Sequence, residues 1–153
     1  MQKIFLSLLL LLSFSYANET NVKAVYDLTT QDINRIKNNI LKGIVANKGY
    51  YQKEFKELDV TVVIHGGAYR YFLEKLEGSE YEDDAVLEKE FSNIKKRLKI
   101  LADTYDVEFL MCGVGARNHK IINNVVSYVK IIPNASIGLI SKQSEGYTYI
   151  PVR

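Results

Sequence analysis

At 153 residues, with 47% apolar and 25% charged residues, the chain has the size and make-up of one folded domain, with no room for a second and little for disorder. A net charge of +2, with no face on which basic residues interleave with stacking aromatics, argues against nucleic-acid binding. A single cysteine excludes an internally stapled miniprotein, and one cysteine with two scattered histidines argues against a zinc site.

Met1-Gln2-Lys3 is a positive n-region, Ile4 to Leu12 an apolar core broken only by Ser7, and Ser15-Tyr16-Ala17 places small residues at a cleavage site. The apolar core is far shorter than the roughly 20 residues of a membrane span. Residues 1–17 therefore read as a signal peptide and 18–153 as an exported domain, periplasmic or secreted, with no membrane attachment after cleavage. No Cys follows the cleavage site, so a lipid anchor is not expected.

Val22 to Tyr26 predicts a first strand ending at Asp27, and Thr29 or Thr30 caps a helix carrying Ile33, Ile36, Ile40 and Ile44 on one stripe. Gly49 marks the expected stop of that helix, and Tyr50 to Leu58 reads as a connection. Asp59 to Ile64 is nearly all β-branched, the pattern of a central parallel strand buried on both faces. His65-Gly66-Gly67 ends it, a short helix with Tyr69, Phe72, Leu73 and Leu76 follows, and Ser79 to Asp84 reads as an acidic solvent loop. Leu87, Phe91, Ile94, Leu98, Leu101 and Tyr105 give one long helix from Ala85 to Tyr105, on which Lys95, Lys96 and Lys99 form a solvated face. Val107 to Cys112 is the third strand, Gly113 to His119 a glycine-containing loop, and Lys120 to Val126 a short helix. Val129 to Ile132 predicts a fourth strand, Ile137, Leu139 and Ile140 a last helix, and Tyr147 to Ile150 a fifth strand stopped by Pro151.

Strands alternating with helices on short links predict an α/β fold, a mostly parallel sheet with helices on both faces. Reactive groups of such sheets gather outside the carboxyl ends of the strands, which puts Asp27, His65, Gly66, Gly67, Cys112, Gly113 and Asn134 on one edge. There Cys112 is either a buried core residue or a nucleophile whose thiolate is favoured by the amides of the following turn. His65 is either a base or hydrogen-bond donor for that thiol, or a turn histidine. Gly66 and Gly67 allow backbone to approach a substrate or simply make a tight turn. Arg117 and His119 lie on the loop after the cysteine and either enter the site or stay on the surface. No phosphate-binding loop, dinucleotide fingerprint or G-x-S-x-G is present, and Glu80, Glu82, Asp83 and Asp84 read as solvated side chains rather than a catalytic pair.

Val22 to Asp27, Val63-Ile64-His65-Gly66, Val107 to Gly113 with its Cys-Gly pair, Val129 to Pro133 and Glu145 to Ile150 together resemble the DsrE/DsrF-like family, in particular its small single-domain, sulfur-relay members. The resemblance implies a three-layer, flavodoxin-like domain of about five mostly parallel strands, assembled as a homotrimer or homohexamer; no cofactor is expected, a flavin being suggested by fold class alone. It implies that Cys112 carries a persulfide sulfur and that His65 lies beside it. Val114-Gly115 replaces the Asn-Thr that many relatives carry after Cys-Gly, and export removes the cytoplasmic relay partners. The expected activity is sulfurtransferase-like sulfur handling at Cys112 and His65, with Gly66, Gly67, Gly113 and Arg117 binding a small sulfane-sulfur compound or a sulfur-carrier protein. The alternative is a non-catalytic oligomeric binding or assembly module with a structural cysteine, its contacts lined by Tyr69, Tyr71, Tyr147 and Tyr149.

Overall fold

β-branched residues, stiff at χ1 and favoured on a pleated surface, build the sheet. The computed structural model describes residues 21–153, so the expected signal segment lies outside the described residues. Its strands are β1 (Val22–Leu28), β2 (Leu58–Ile64), β3 (Glu108–Cys112), β4 (Val129–Ile132) and β5 (Thr148–Val152). All pair in parallel in the order β4-β3-β2-β1-β5. The central strand β2 is buried along both faces, as its composition predicts, with Val60, Val62, Val63 and Ile64 all inside.

The first helix, α1, is continuous from Ile33–Arg35 through a π-helical stretch, Ile36–Lys42, to Gly43–Lys53. Its stripe is as expected, with Ile36, Ile40 and Ile44 sealed; each such side chain contributes about 1.5–3 kcal/mol of apolar burial. Gly49 does not stop it. The helix runs on to Lys53 and ends where Phe55 takes a left-handed φ of 56°. A 3₁₀ turn, Gly66–Tyr71, replaces the short helix expected after β2. The long helix α2 (Ala85–Tyr105) is capped by Asp84, whose side chain accepts from the Leu87 N–H at 2.9 Å. A six-residue helix, α3 (Gly113–Asn118), replaces the loop expected after Cys112. Residues 120–126 do not form a helix. They are tied to the segment after the 3₁₀ turn, with Val126 donating to Phe72 O at 3.0 Å and Glu74 donating to Asn124 O at 2.8 Å. Pro151 lies inside β5 rather than stopping it, because β5 is an edge strand and a residue without an N–H is tolerated there.

The connections β1–β2, β2–β3 and β3–β4 step in one direction across the sheet, and the last one returns past β1 to place β5. With right-handed crossovers, α1 and α2 cover one face and α4 (Ala135–Ser144) crosses back over the other. α4 touches all five strands. Gly138 allows that approach, since a Cβ there would stand 2.5 Å from Ile132 Cδ1. Beneath α4 the sheet is partly polar: the Thr61 hydroxyl donates to Glu108 Oε2 at 3.0 Å, and Lys142 of α4 pairs with the same oxygen at 2.7 Å.

Candidate functional site at the carboxyl edge of the sheet

Cys112 ends β3 and is also the N-cap residue of α3, with extended backbone at φ −61° and ψ 111°. Its 8% exposure contrasts with the fully sealed Met111 before it. Burial pushes the Cys112 thiol up, but the Gly115 N–H, the Tyr69 hydroxyl and the N–H groups of Ala135 and Val114 act the other way and bring it below the usual thiol range. The Gly115 and Val114 amides belong to α3, while Ala135 opens α4. Asn134 holds that second helix start in place, its Oδ1 accepting from the Ile137 N–H at 2.9 Å. The sulfur is therefore cradled by the first turns of two helices, whose free N–H groups favour an anion.

Tyr69 comes to the thiol from the 3₁₀ turn. Its hydroxyl donates to Cys112 O at 3.3 Å and sits where a Cβ on Gly115 would stand, 1.8 Å away. Burial is the largest influence on this phenol and keeps it protonated well beyond the usual range. The ring lies 5.3 Å from that of His119, whose Nδ1 is 2.5 Å from Glu80 Oε1. The Glu80 carboxyl is held below its usual range, first by the Tyr81 hydroxyl and then by His119. The acidic segment Ser79–Asp84 keeps Glu80, Glu82 and Asp83 exposed, as expected of a solvent loop, but is pinned at Tyr81 and Asp84. Tyr81 is buried, the Arg70 guanidinium lies 4.9 Å from its ring, and Arg70 pairs with Asp84 at 2.9 Å.

His65 is placed at the same edge but is engaged from the other side. Its Nε2 meets Asp27 Oδ1 at 2.6 Å, and Tyr149 donates to Asp27 Oδ2 at 2.5 Å. Arg153 donates to the Tyr149 oxygen at 3.4 Å. Gly66 has φ 58°, and the Gly67 N–H is spent on Thr29 O at 3.0 Å. A Cβ on Gly67 would stand 2.9 Å from the Gln31 Cβ, so this glycine pair closes a tight turn. Gly113 packs where a Cβ would meet Ile132 O at 2.9 Å and Arg117 Nη1 at 3.1 Å. Arg117 thus folds back over the cysteine's own turn, is exposed, and makes no ion pair among the described residues.

The edge brings together Cys112, Gly113 and Arg117, and sets His65 beside them on a separate carboxylate. Sequence reasoning missed Tyr69 and Ala135 as neighbours of the sulfur, and Asp27 and Tyr149 as partners of the histidine. The one available signal was Asp27 itself, a charged residue closing an otherwise apolar strand. Among the described residues, no group of three or more His, Cys, Asp or Glu side chains is placed to hold a metal ion, and no helix is long and apolar enough to cross a membrane. Cavities of about 660, 410 and 400 Å³ lie away from Cys112, the first around Val45, Phe55, Leu58 and Tyr105 at the opposite end of the sheet. Cys112 itself is buried at the carboxyl edge and lines none of these three cavities.

The model of the DsrE/DsrF-like family matches residues 23–152, nearly the whole chain. The chain belongs to the DsrE/DsrF-like family. An uncharacterized protein of Aquifex aeolicus (strain VF5) is 29% identical over 154 residues, covering 99% of this chain. The chain spans only 64% of that relative's length. Among solved structures, MTH1491 of Methanobacterium thermoautotrophicum, a protein of unknown function, superposes with a TM-score of 0.59 over 86% of this chain and 99% of its own, at 16% identity. That likeness bears on the DsrE/DsrF-like fold alone.

Proposed function

We propose that Cys112 accepts a sulfane sulfur as a persulfide and passes it on, making this chain a sulfur-handling member of its family with sulfurtransferase-like chemistry. One observation carries the reading: the sole thiol sits at the sheet edge under the amides of two helix starts, which lower it toward thiolate. A thiolate is the nucleophile that such transfer needs, and the same amides suit the negative terminal sulfur of a persulfide. The Arg117 guanidinium, unpaired among the described residues, favours an anionic donor or the acidic surface of a sulfur-carrier protein. Export by residues 1–17, into the periplasm or medium, belongs to the same proposal. So does assembly into a homotrimer or homohexamer, for which Val114, Ile131, Ile137 and Ile140 offer exposed apolar contacts. The rival assembly-module reading loses two of its four tyrosines, since Tyr69 and Tyr71 are buried within the subunit.

Incubation with thiosulfate tests the chemistry: the thiolate attacks the outer sulfur, sulfite leaves, and the protein gains about 32 Da, one sulfur atom. The adduct is expected on the native chain and absent from Cys112→Ser. A native chain that gains no sulfur, or a Cys112→Ser variant that gains as much, overturns the reading.

A further inference from the structure

Asp27 pairs in register with Val63, and Val63 with Leu110, so these three point to the face crossed by α4. Two residues further on, alternation returns His65 and Cys112 to that face at the ends of adjacent strands. Yet the groups that lower the thiol are the amides of Gly115, Ala135 and Val114 and the Tyr69 hydroxyl, and His65 is not among them. The imidazole is instead held from behind. Both oxygens of the buried Asp27 are occupied, one by His65 Nε2 and the other by the Tyr149 hydroxyl. The His65 side chain is 30% exposed and the Asp27 side chain 8%, and Nδ1 has no hydrogen-bond partner among the described residues. A carboxylate buried behind an imidazole fixes its tautomer, with Nε2–H donating to Asp27, and leaves Nδ1 as the nitrogen free to exchange a proton at the open edge.

The thiol is lowered by amides and a hydroxyl, so the imidazole is not engaged on it. The atom that needs a proton in sulfur transfer is the sulfur that departs. We infer that His65, positioned by Asp27 and Tyr149, is the general acid that protonates the leaving thiolate when Cys112 takes sulfur from a thiol persulfide, so that the site is built for donors R–S–SH with a basic leaving group. This rests on the reading of Cys112 as the sulfur acceptor. The Cys112 thiolate attacks the terminal sulfur and forms an Sγ–S bond. The donor's S–S bond breaks with its electron pair on the R-bound sulfur, and the thiolate R–S⁻ takes the proton from Nδ1 of the imidazolium. The proton carried by the transferred sulfur returns to the ring, so Cys–S⁻ and R–S–SH become Cys–S–S⁻ and R–SH. A thiosulfonate donor makes the contrast, because its sulfinate leaving group is a weak base and departs without a proton.

Single-turnover sulfur uptake on the full chain tests this, comparing the native protein with His65→Gln, His65→Asn and Asp27→Asn. The donors are an alkyl persulfide and an aryl thiosulfonate, and iodoacetamide alkylation of Cys112 reports the nucleophile separately. Loss of the proton donor should slow uptake from the alkyl persulfide about 100-fold in both His65 variants, against a few-fold at most from the thiosulfonate. Asp27→Asn should show the same donor preference with a smaller loss, and alkylation should stay within about two-fold, because no proton is transferred to a leaving thiolate in that step. Equal losses with both donors, or alkylation slowed as much as uptake, overturn the inference and leave the Cys112 reading standing. A native chain that takes sulfur from neither donor overturns both.

Discussion

Gly115→Ala probes the most demanding contact of the site. A Cβ added there would stand 1.8 Å from the Tyr69 oxygen, 2.5 Å from Cζ and 2.9 Å from Cε2. Ordinary contact begins near 3.4 Å, so the hydroxyl must retreat by about 1.6 Å or α3 must lift. Neither is easy. Tyr69 is almost fully buried against His119, and the first turn of α3 supplies amides to the sulfur. Overpacking of this kind costs about 1–3 kcal/mol, and the displaced hydrogen bond to Cys112 O adds about 1 kcal/mol. A total near 3 kcal/mol in a domain of this size lowers Tm by about 6–12 °C in a thermal melt. Retreat of the hydroxyl takes Tyr69 away from the thiol, and lifting of α3 takes the Gly115 N–H away. The thiol then returns toward its ordinary range, and the pH profile of Cys112 alkylation moves to higher pH. A variant whose Tm falls by less than about 2 °C, with an unmoved alkylation profile, refutes the packing of Tyr69 into the space left by this glycine.

Two further outcomes follow from the same geometry. The folded-state thiol of Cys112 lies below its ordinary value of 9.0, so the stability it contributes is fully present above that value and is lost as pH falls through the lowered one. Urea midpoints should therefore show the native chain gaining on Cys112→Ser as pH is raised from about 6 to about 10, and a gap that narrows instead contradicts the amide cradle. The Tyr128 hydroxyl is buried without a partner among the described residues, so Tyr128→Phe should be neutral or stabilising by up to about 1 kcal/mol in urea denaturation, and a loss of 2 kcal/mol or more would mean that a partner exists.

The strands were legible because β-branched residues report burial directly: Val60 to Ile64 announce a central strand, and Ile36, Ile40 and Ile44 fall inside as their spacing requires. The edge was legible too, since the ends of parallel strands converge whatever their neighbours are. Local punctuation misled where tertiary context overrides it. Gly49 keeps a helical backbone inside a helix that runs to Lys53, and a Cβ there would meet nothing within 4 Å, while Pro151 continues a strand that needs no outward donor. The partners of the site were hidden for a different reason. Tyr69 and Cys112 are 43 residues apart, and Asp27 and Tyr149 are 122 apart. No periodicity encodes such pairs; they depend on register and on how the 3₁₀ turn bends back.

That dependence also explains why the sulfur sits where it does. Because β5 lies beyond β1, the chain leaving β4 must recross the whole sheet, and α4 has to start beside the end of β3. Its first amide, that of Ala135, arrives at Cys112 as a consequence of strand order, before any side chain is chosen. α3 supplies the other amides because Cys112 itself is its N-cap, and Gly113 permits the sharp entry against Ile132 O. Two helix starts on one sulfur are thus a product of topology, refined by the glycines at 113, 115 and 138. Side chains then divide the remaining work: Tyr69 closes the thiol from one side, while Asp27 and Tyr149 hold His65 ready on the other. A site assembled from backbone amides in this way lowers the thiol without placing a neighbouring cation against it, which leaves Arg117 and His65 free to meet what approaches the edge.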